Sequence, residues 1–338
     1  MTSLLGTPLP LVAAPMAGAG STPQLIRASA EAGAFPFLPA GYTTPERLAS
    51  DVTELKAAGL RFGVNLFKVD PIAISPACYA SRAADLQPEA DPYGLTLADV
   101  ALESDDDAWA AKLMVLLADP VDLVSTTFGM PDAEEIAALR GVGTRVAVTV
   151  TTVAEARAAQ RLGVDMLVVQ GSAAGGHSGT HDPARIIADG DTVDLVRAVR
   201  GACDLPMIAG GGVDGAPAVG AILDAGAEAV AVGTLLLRSD ESGASQTHKD
   251  ALADLRFART VITRAFTGRP ARGLLNGFIH RHEAGAPLGY PAIHHLTSAL
   301  RKAAAAAGDP DRVHLWAGTG FQAAQTGPAA RILRDLVR

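Results

Sequence analysis

Residues 168–180 read VVQGSAAGGHSGT. An apolar run leaves a buried strand through Gln170, and a lone imidazole, His177, follows in a loop that also holds Gly175, Gly176 and Gly179. An imidazole titrates near neutral pH, so a histidine placed this way can take a proton from a substrate carbon and return it. Packing alone would not require three glycines beside it; they imply that something approaches the backbone closely there. His181 completes an H-x-x-x-H spacing. That spacing makes a zinc pair only on a helix, and Ser178 and Gly179 argue for a loop. No third ligand or nearby glutamate supports a metal, so no metal site is expected.

Two further clusters invite a phosphate. PMIAGGGVDG puts Gly210, Gly211 and Gly212 on a strand-to-helix turn, and AVAVGTLLL puts Gly233 and Thr234 on the next one. Free N–H groups and a helix N-terminus favour a phosphate dianion without lysine. One such loop is explained by a tight turn, whereas two adjacent ones favour phosphate. Arg269 and Arg272 in GRPARG either steer an anionic substrate or fix the C-terminal segment to the rest of the fold. Of the adjacent His294 and His295, one is expected to face a cap or substrate and the other to be structural. His280 and His282 are expected to share one face of a strand. The acidic run ESDDD reads as a solvated helix start, because acidic side chains are favoured there by the helix dipole.

The elements that must position these residues alternate strand and helix. Strands are expected at 9–15, 35–39, 62–67, 121–126, 145–151, 165–170, 205–209 and 229–232, with helices at 23–32, 45–58, after Pro131, and at 153–162 and 216–225. Eight β-then-α units predict a TIM (β/α)₈ barrel with a parallel sheet. APMAG, Asn65, QGSAAGGHSG, AGGGVDG and VGT all fall at C-terminal strand ends, the catalytic face of such a barrel. Residues 1–69 and 120–256 are assigned to the barrel. An insertion after the third strand, 70–119, and a C-terminal segment, 257–338, are expected to cap its active-site face.

Composition narrows the partners. The chain has 338 residues, a net charge of -8 and no basic stripe, which disfavours nucleic acid and anionic membrane surfaces. Cys78 and Cys203 lack metal-ligand spacing and suggest no disulfide scaffold, so a reducing cytoplasm is expected. LPLVAAPMAGAG has no basic residue before it, since the first is Arg27, and reads as the first strand rather than a signal segment. No later segment stays apolar for eighteen residues, so no membrane helix is expected. A serine hydrolase is disfavoured because no G-x-S-x-G appears, and a dinucleotide fold because GGG lacks the G-x-G-x-x-G spacing. A catalytic cysteine is disfavoured because Cys203 precedes its strand, at the wrong end of the barrel.

QGSAAGGHSG, IAGGGVDG, VAVGT and FTGRPARGLLN, in this order, together with APMAG, GVNLF and YPAIHHLTSALRKAAAAAGD followed by LWAGTG, resemble the nitronate monooxygenase (2-nitropropane dioxygenase) family over nearly the whole chain. The resemblance implies FMN held without a covalent link. It implies that the backbone of Met16 and Ala17 faces the flavin, and that Asn65 and Gln170 bond its polar edge. Gly175 and Gly176 would pass close to it, and Gly211, Gly212, Gly233 and Thr234 would cradle its phosphate. It implies His177 as catalytic base and oxygen-dependent oxidation of a small nitronate such as propionate 3-nitronate, or of a nitroalkane. The chain departs from the family at Ala173, where a glutamate is common. An FMN-dependent enoyl-thioester reductase using NAD(P)H, and a non-catalytic flavin- or phosphate-binding barrel, are the alternatives. The oligomeric state stays open.

Overall fold

Threonine–proline and serine–proline pairs start several helices of this chain. Thr22 Oγ1 accepts from Leu25 N at 3.0 Å, and Thr44 and Ser75 cap the next two helices in the same way, each followed by proline in the first turn. Asp132 and Glu135 form a reciprocal capping box on a later one. The computed structural model describes residues 4–18 and 20–337. The stretch read as the first strand therefore includes one position, Ala19, outside the described residues, as do the ends of the expected domain ranges.

In chain order the strands are β1 (Leu11–Ala13), β2 (Phe35–Pro39), β3 (Gly63–Phe67), β4 (Leu123–Thr127), β5 (Arg145–Val150), β6 (Met166–Gln170), β7 (Gly176–His177), β8 (Met207–Gly210), β9 (Ala229–Val232), β10 (Thr260–Thr263) and β11 (Ala271–Leu274). Among the described residues, β1 to β6, β8 and β9 close a parallel barrel, and β10, β11 and β7 form a small antiparallel sheet. Closure is made by β9 on β1, with Leu11 opposite Val230. The chain is a TIM barrel. Its interior is filled by Val12, Phe35, Phe37, Leu123, Met166 and Ile208, while a larger apolar layer seals sheet to helices. Alternation of apolar side chains along the short strands supplies both faces.

The helices are α1 (Pro23–Ala32), α2 (Pro45–Ala57), α3 (Pro76–Ala90), α4 (Trp109–Ala118), α5 (Ala133–Gly141), α6 (Val153–Leu162), α7 (Thr192–Arg200), α8 (Ala216–Asp224), α9 (Gln246–Ala251), α10 (Gly277–His282), α11 (Ala292–Ala306) and α12 (Ala329–Asp335). The segment expected as one insertion, 70–119, divides. α3 packs on the C-terminal segment through Tyr79, Leu86, Phe278 and Leu296. α4 instead belongs to the barrel's helix layer, where Trp109, Leu113 and Leu116 join Leu48 and Val121. The acidic run conceals this boundary, because α4 starts without a side-chain cap from Ala108, held at φ 53°. The C-terminal segment also divides, since α12 returns to the barrel layer through Ala329 and Leu333. His280 and His282 lie on α10, not on a strand. Asn276 caps that helix by accepting from Ile279 N at 3.1 Å, a signal that outweighs the alternation in the sequence.

One buried carboxylate ties these outer elements together. Glu89 on α3 accepts from Arg281 Nε at 2.6 Å, His282 Nε2 at 2.7 Å and Arg312 Nε at 2.8 Å. Burial pushes its carboxyl up, but the bonds from Arg281 and His282 and the charges of Arg281 and Arg312 together outweigh this and hold it at about 2. A depressed carboxyl stabilises the fold above its unfolded value, roughly 4.3, and loses that contribution as pH falls toward the folded value. We predict that Glu89→Gln lowers stability at pH 7 by roughly 1–3 kcal/mol, between a surface and a buried pair. Denaturant melts should show the gap between variant and wild type closing as pH drops from 5 to 2; a gap independent of pH would contradict the assignment.

Candidate active site

The C-terminal ends of the barrel strands open into a cavity of about 760 Å³, closed on the far side by α11 and by the segment around Trp316–Gly320. Met16, Ala17, Asn65, Gln170, Gly175, Gly176, His177, Gly211, Gly212, Gly233 and Thr234 all line it. Residues spread over more than two hundred positions therefore share one wall.

The loops after β8 and β9 present bare donors. Among the described residues, the N–H groups of Gly211, Gly212, Gly233 and Thr234 donate to no other protein group. Gly211 and Gly212 adopt φ 131° and 74°, which glycine reaches without strain. At Gly211 a Cβ would lie 3.0 Å from both Ala174 N and Thr192 Oγ1. α8 follows with no side-chain cap at Gly215, so its N-terminal donors also stay free. Free donors on two adjacent loops that line one cavity fit an anion such as a phosphate ester. Ala173 adds to this fit, because a Cβ at Gly212 would come 3.1 Å from the Ala173 Cβ. A glutamate there would place its charge beside these donors.

The glycines around His177 answer to the protein's own chain. A Cβ at Gly175 would sit 2.5 Å from Gly318 N and 2.8 Å from Ala317 Cα, and one at Gly179 would sit 2.6 Å from Thr149 Cγ2. What approaches the backbone at these two positions is the C-terminal segment and the end of β5. Thr319 N donates to Ala173 O at 3.0 Å, and Gly318 N donates to Thr234 Oγ1 at 2.9 Å, which seats that segment on both loops. Only Gly176, at φ 80°, has open space where a side chain would stand.

Asn65 and Gln170 differ in what they offer a ligand. Asn65 Nδ2 donates to Ser125 O at 3.3 Å, Ser125 Oγ at 2.9 Å and Thr127 Oγ1 at 3.0 Å. A carbonyl can only accept, so the amide orientation is fixed and Oδ1 remains as an acceptor. Gln170 uses both ends of its amide on the His177 loop: Nε2 donates to His177 O at 3.1 Å, and Oε1 accepts from Gly179 N at 2.6 Å. It keeps one hydrogen and one lone pair for anything else.

His177 sits on β7, opposite Ala271 of β11, with Phe128, Tyr290 and Trp316 rings around it at centroid distances of 5.5–5.8 Å. Its Nε2 is 2.9 Å from Thr267 Oγ1. The one hydroxyl proton of Thr267 goes to Arg269 O at 3.2 Å, so Nε2 is the donor and Nδ1 keeps the basic lone pair. Burial pushes the imidazole down to about 3, helped by the charges of Arg269 and Arg301. The near-neutral titration expected from residue type is thus corrected: the ring is a neutral acceptor across the physiological range.

The other candidates separate cleanly. Arg272 is structural, donating to Ser172 O and Thr260 Oγ1 and pairing with Asp189. Arg269 donates to Thr180 O and lies 4.0 Å over the Phe128 ring. Both fix the C-terminal segment to the barrel, and neither lines the cavity. His181 bonds Thr149 O at 2.9 Å, and no metal-binding cluster exists among the described residues. His295 pairs with Asp105 at the surface, whereas His294 lines the cavity and stacks on Tyr42 with centroids 4.2 Å apart. Sequence reasoning did not single out Thr267, Tyr42, Phe128 or Arg301. Tyr42 and Phe128 sit at φ 64° and 80°, strained for such side chains and without a sequence signature. Thr267 stands in the quoted FTGRPAR, beside the arginines that drew attention.

Comparison with known proteins agrees with this geometry. The chain matches the nitronate monooxygenase family along residues 1–338. It is 36% identical to a nitronate monooxygenase of Pseudomonas aeruginosa, over 99% of this chain and 97% of the relative. It is 31% identical to a "probable nitronate monooxygenase" of Staphylococcus aureus strain Newman, over 100% and 96%. Among solved structures, nitroalkane oxidase from Streptomyces ansochromogenes superposes with a TM-score of 0.92 at 46% identity, covering 98% of this chain and 95% of the other. FabK from Thermotoga maritima superposes with a TM-score of 0.75 at 26% identity, covering 98% and 93%.

We predict that nitrogen-detected NMR of labelled protein shows His177 neutral, with the hydrogen on Nε2, and unchanged from pH 5 to 8. A titration centred near an unperturbed value of about 6.5 would contradict the burial argument.

Proposed function

The chain belongs to the nitronate monooxygenase family and is an oxidoreductase, and on that premise we propose that it binds FMN and oxidises alkyl nitronates with oxygen to a carbonyl compound and nitrite. The observation that carries this reading is the set of free donors at Gly211, Gly212, Gly233 and Thr234, in a cavity shared with a neutral histidine. Those donors would hold the FMN phosphate. Asn65 Oδ1 and the spare hydrogen of Gln170 would meet the polar edge of its ring, and Met16, Ala17 and Gly176 would lie beside it. The two adjacent loops make one phosphate cradle, which favours FMN over FAD. When bound, the flavin supplies the redox chemistry, taking electrons from the substrate and passing them to oxygen.

The chain's own residues orient the substrate, exclude water and handle a proton. Tyr290, Phe128 and Trp316 wall the space beside His177 and keep bulk water from it. His177 Nδ1, with Nε2 held by Thr267, is the acceptor for an α-proton. A neutral nitroalkane must lose that proton before it can be oxidised, and a nitronate has already lost it. The imidazole is a weak base in the resting cavity, which suits nitronates better than nitroalkanes.

Two predictions test the reading. Mass spectrometry of flavin released from purified protein should find FMN as the main species, and FAD as the main species would refute the single cradle. Gly212→Asp should retain far less FMN than Gly212→Ala; both carry the same backbone strain, so the difference reports charge beside the phosphate. For the histidine, His177→Asn should keep its flavin and largely keep nitronate oxidation, while turnover of the paired neutral nitroalkane falls roughly 10²–10⁴-fold. Oxygen uptake with both members of each pair is the measurement. Equal losses on both would assign His177 to binding rather than proton transfer.

A further inference from the structure

The charge of the cavity wall is one-sided. Among the described residues lining it there is no Asp or Glu, while Arg301 and Lys302 of α11 both face it. Lys302 is exposed at the rim, but Arg301 is only 7% exposed. Its Nε donates to Thr297 Oγ1 at 3.1 Å and Thr297 O at 3.3 Å, and one terminal nitrogen reaches His294 O at 2.9 Å and His294 Nδ1 at 3.3 Å. The other terminal nitrogen has only His314 Nδ1, at 3.5 Å. All these partners are neutral, since burial holds His294 and His314 well below the usual imidazole range. No ion pair reaches Arg301 among the described residues, and the ionisable groups facing it are Tyr42, Tyr290 and the imidazoles of His177, His294 and His314.

Elsewhere this chain surrounds a buried carboxylate with two arginines and a histidine, at Glu89. A buried guanidinium without any anion is costly, and its planar fork matches a planar two-oxygen anion. We propose that Arg301 is the anchor for such a group on the substrate: the nitronate itself, or a carboxylate on its tail. The proposal rests on reading this cavity as a nitronate-oxidising site. It also gives the cavity a coupling. The charge of Arg301 is one of those pressing on His177, so an anion docked on Arg301 offsets it and strengthens the base when substrate is bound.

The test uses flavin-loaded wild type, Arg301→Gln and Arg301→Lys with two nitronates, ethyl nitronate and propionate 3-nitronate. Arg301→Gln should raise KM about 10–100-fold for at least one of them, the usual loss for a hydrogen bond to a charged group. Arg301→Lys, which keeps the charge but not the planar fork, should recover only part of the loss. An equal rise on both nitronates places the nitronate oxygens on Arg301; a rise confined to propionate 3-nitronate places the tail carboxylate there. Unchanged KM on both overturns the proposal. Calorimetry with propionate, an unreactive carboxylate, reads the anchor without turnover. Wild type should bind it more tightly than either variant, and if Arg301→Gln does not fold, equal binding by wild type and Arg301→Lys overturns the proposal. A wild type that binds propionate through Arg301 but oxidises no nitronate would refute the functional reading and leave the anchor standing.

Discussion

Two stretches of backbone meet where no side chain fits, and the site depends on that meeting. Gly175 lies so close to Ala317 and Gly318 that even a methyl group would collide with main-chain atoms, which cannot move aside as a flexible side chain can. The approach brings Gly318 N onto Thr234 Oγ1 and Thr319 N onto Ala173 O. Three remote parts of the chain are thereby fixed to one another: the His177 loop, the turn after β9 and the tail that follows α11. The strands β7, β10 and β11 extend the same junction by carrying His177 into register with Ala271. Without this contact the barrel would keep its strands but its mouth would lose a wall.

Enclosure then sets the electrostatics. A cavity lined by Trp316 and Phe128 strips water from whatever lines it, and desolvation disfavours the charged form of each imidazole there. His177, His248, His294 and His314 are all pushed below the ordinary range, with burial the leading cause in each case. Arg301 cannot escape in that way, because a guanidinium stays charged even when burial lowers it to about 10. The wall that results has neutral acceptors, bare backbone donors and a fixed cation. On the reading proposed above, such a wall would receive anions at two places, the loops after β8 and β9 and α11, and would offer a neutral imidazole as proton acceptor.

The barrel was legible because its strands are short apolar runs closed by glycine turns, and because Thr22–Pro23 and Thr44–Pro45 mark helix starts by local chemistry alone. The turn after β8 was legible for the same reason, since a turn that needs φ 131° or 74° must be written in glycine. The acidic run reads as a helix start, but α4 was assigned with 70–119 to the cap, because nothing local shows that its apolar face packs on α2 rather than on the C-terminal segment. His280 and His282 were placed on a strand because their two-residue spacing matches strand alternation, whereas the Asn276 cap marks a helix there. The identity of the group approaching Gly175 was not legible, because it comes from more than a hundred residues away. Nor was Arg301, since a basic residue ahead of an alanine-rich helix end looks like a solvated cation until its burial is known. The depressed imidazole of His177 belongs to the same class: residue type gives the reference value, and only the assembled cavity gives the shift.

A nitronate-oxidising site and a nicotinamide-dependent reductase on the same barrel differ in what donates electrons. The measurement is anaerobic: the flavin-loaded protein is mixed in turn with a nitronate, NADH and NADPH, and its visible absorbance is followed. A nitronate-oxidising site is bleached rapidly by the nitronate and not by either nicotinamide. Rapid bleaching by NADH or NADPH, with none by the nitronate, would contradict that reading.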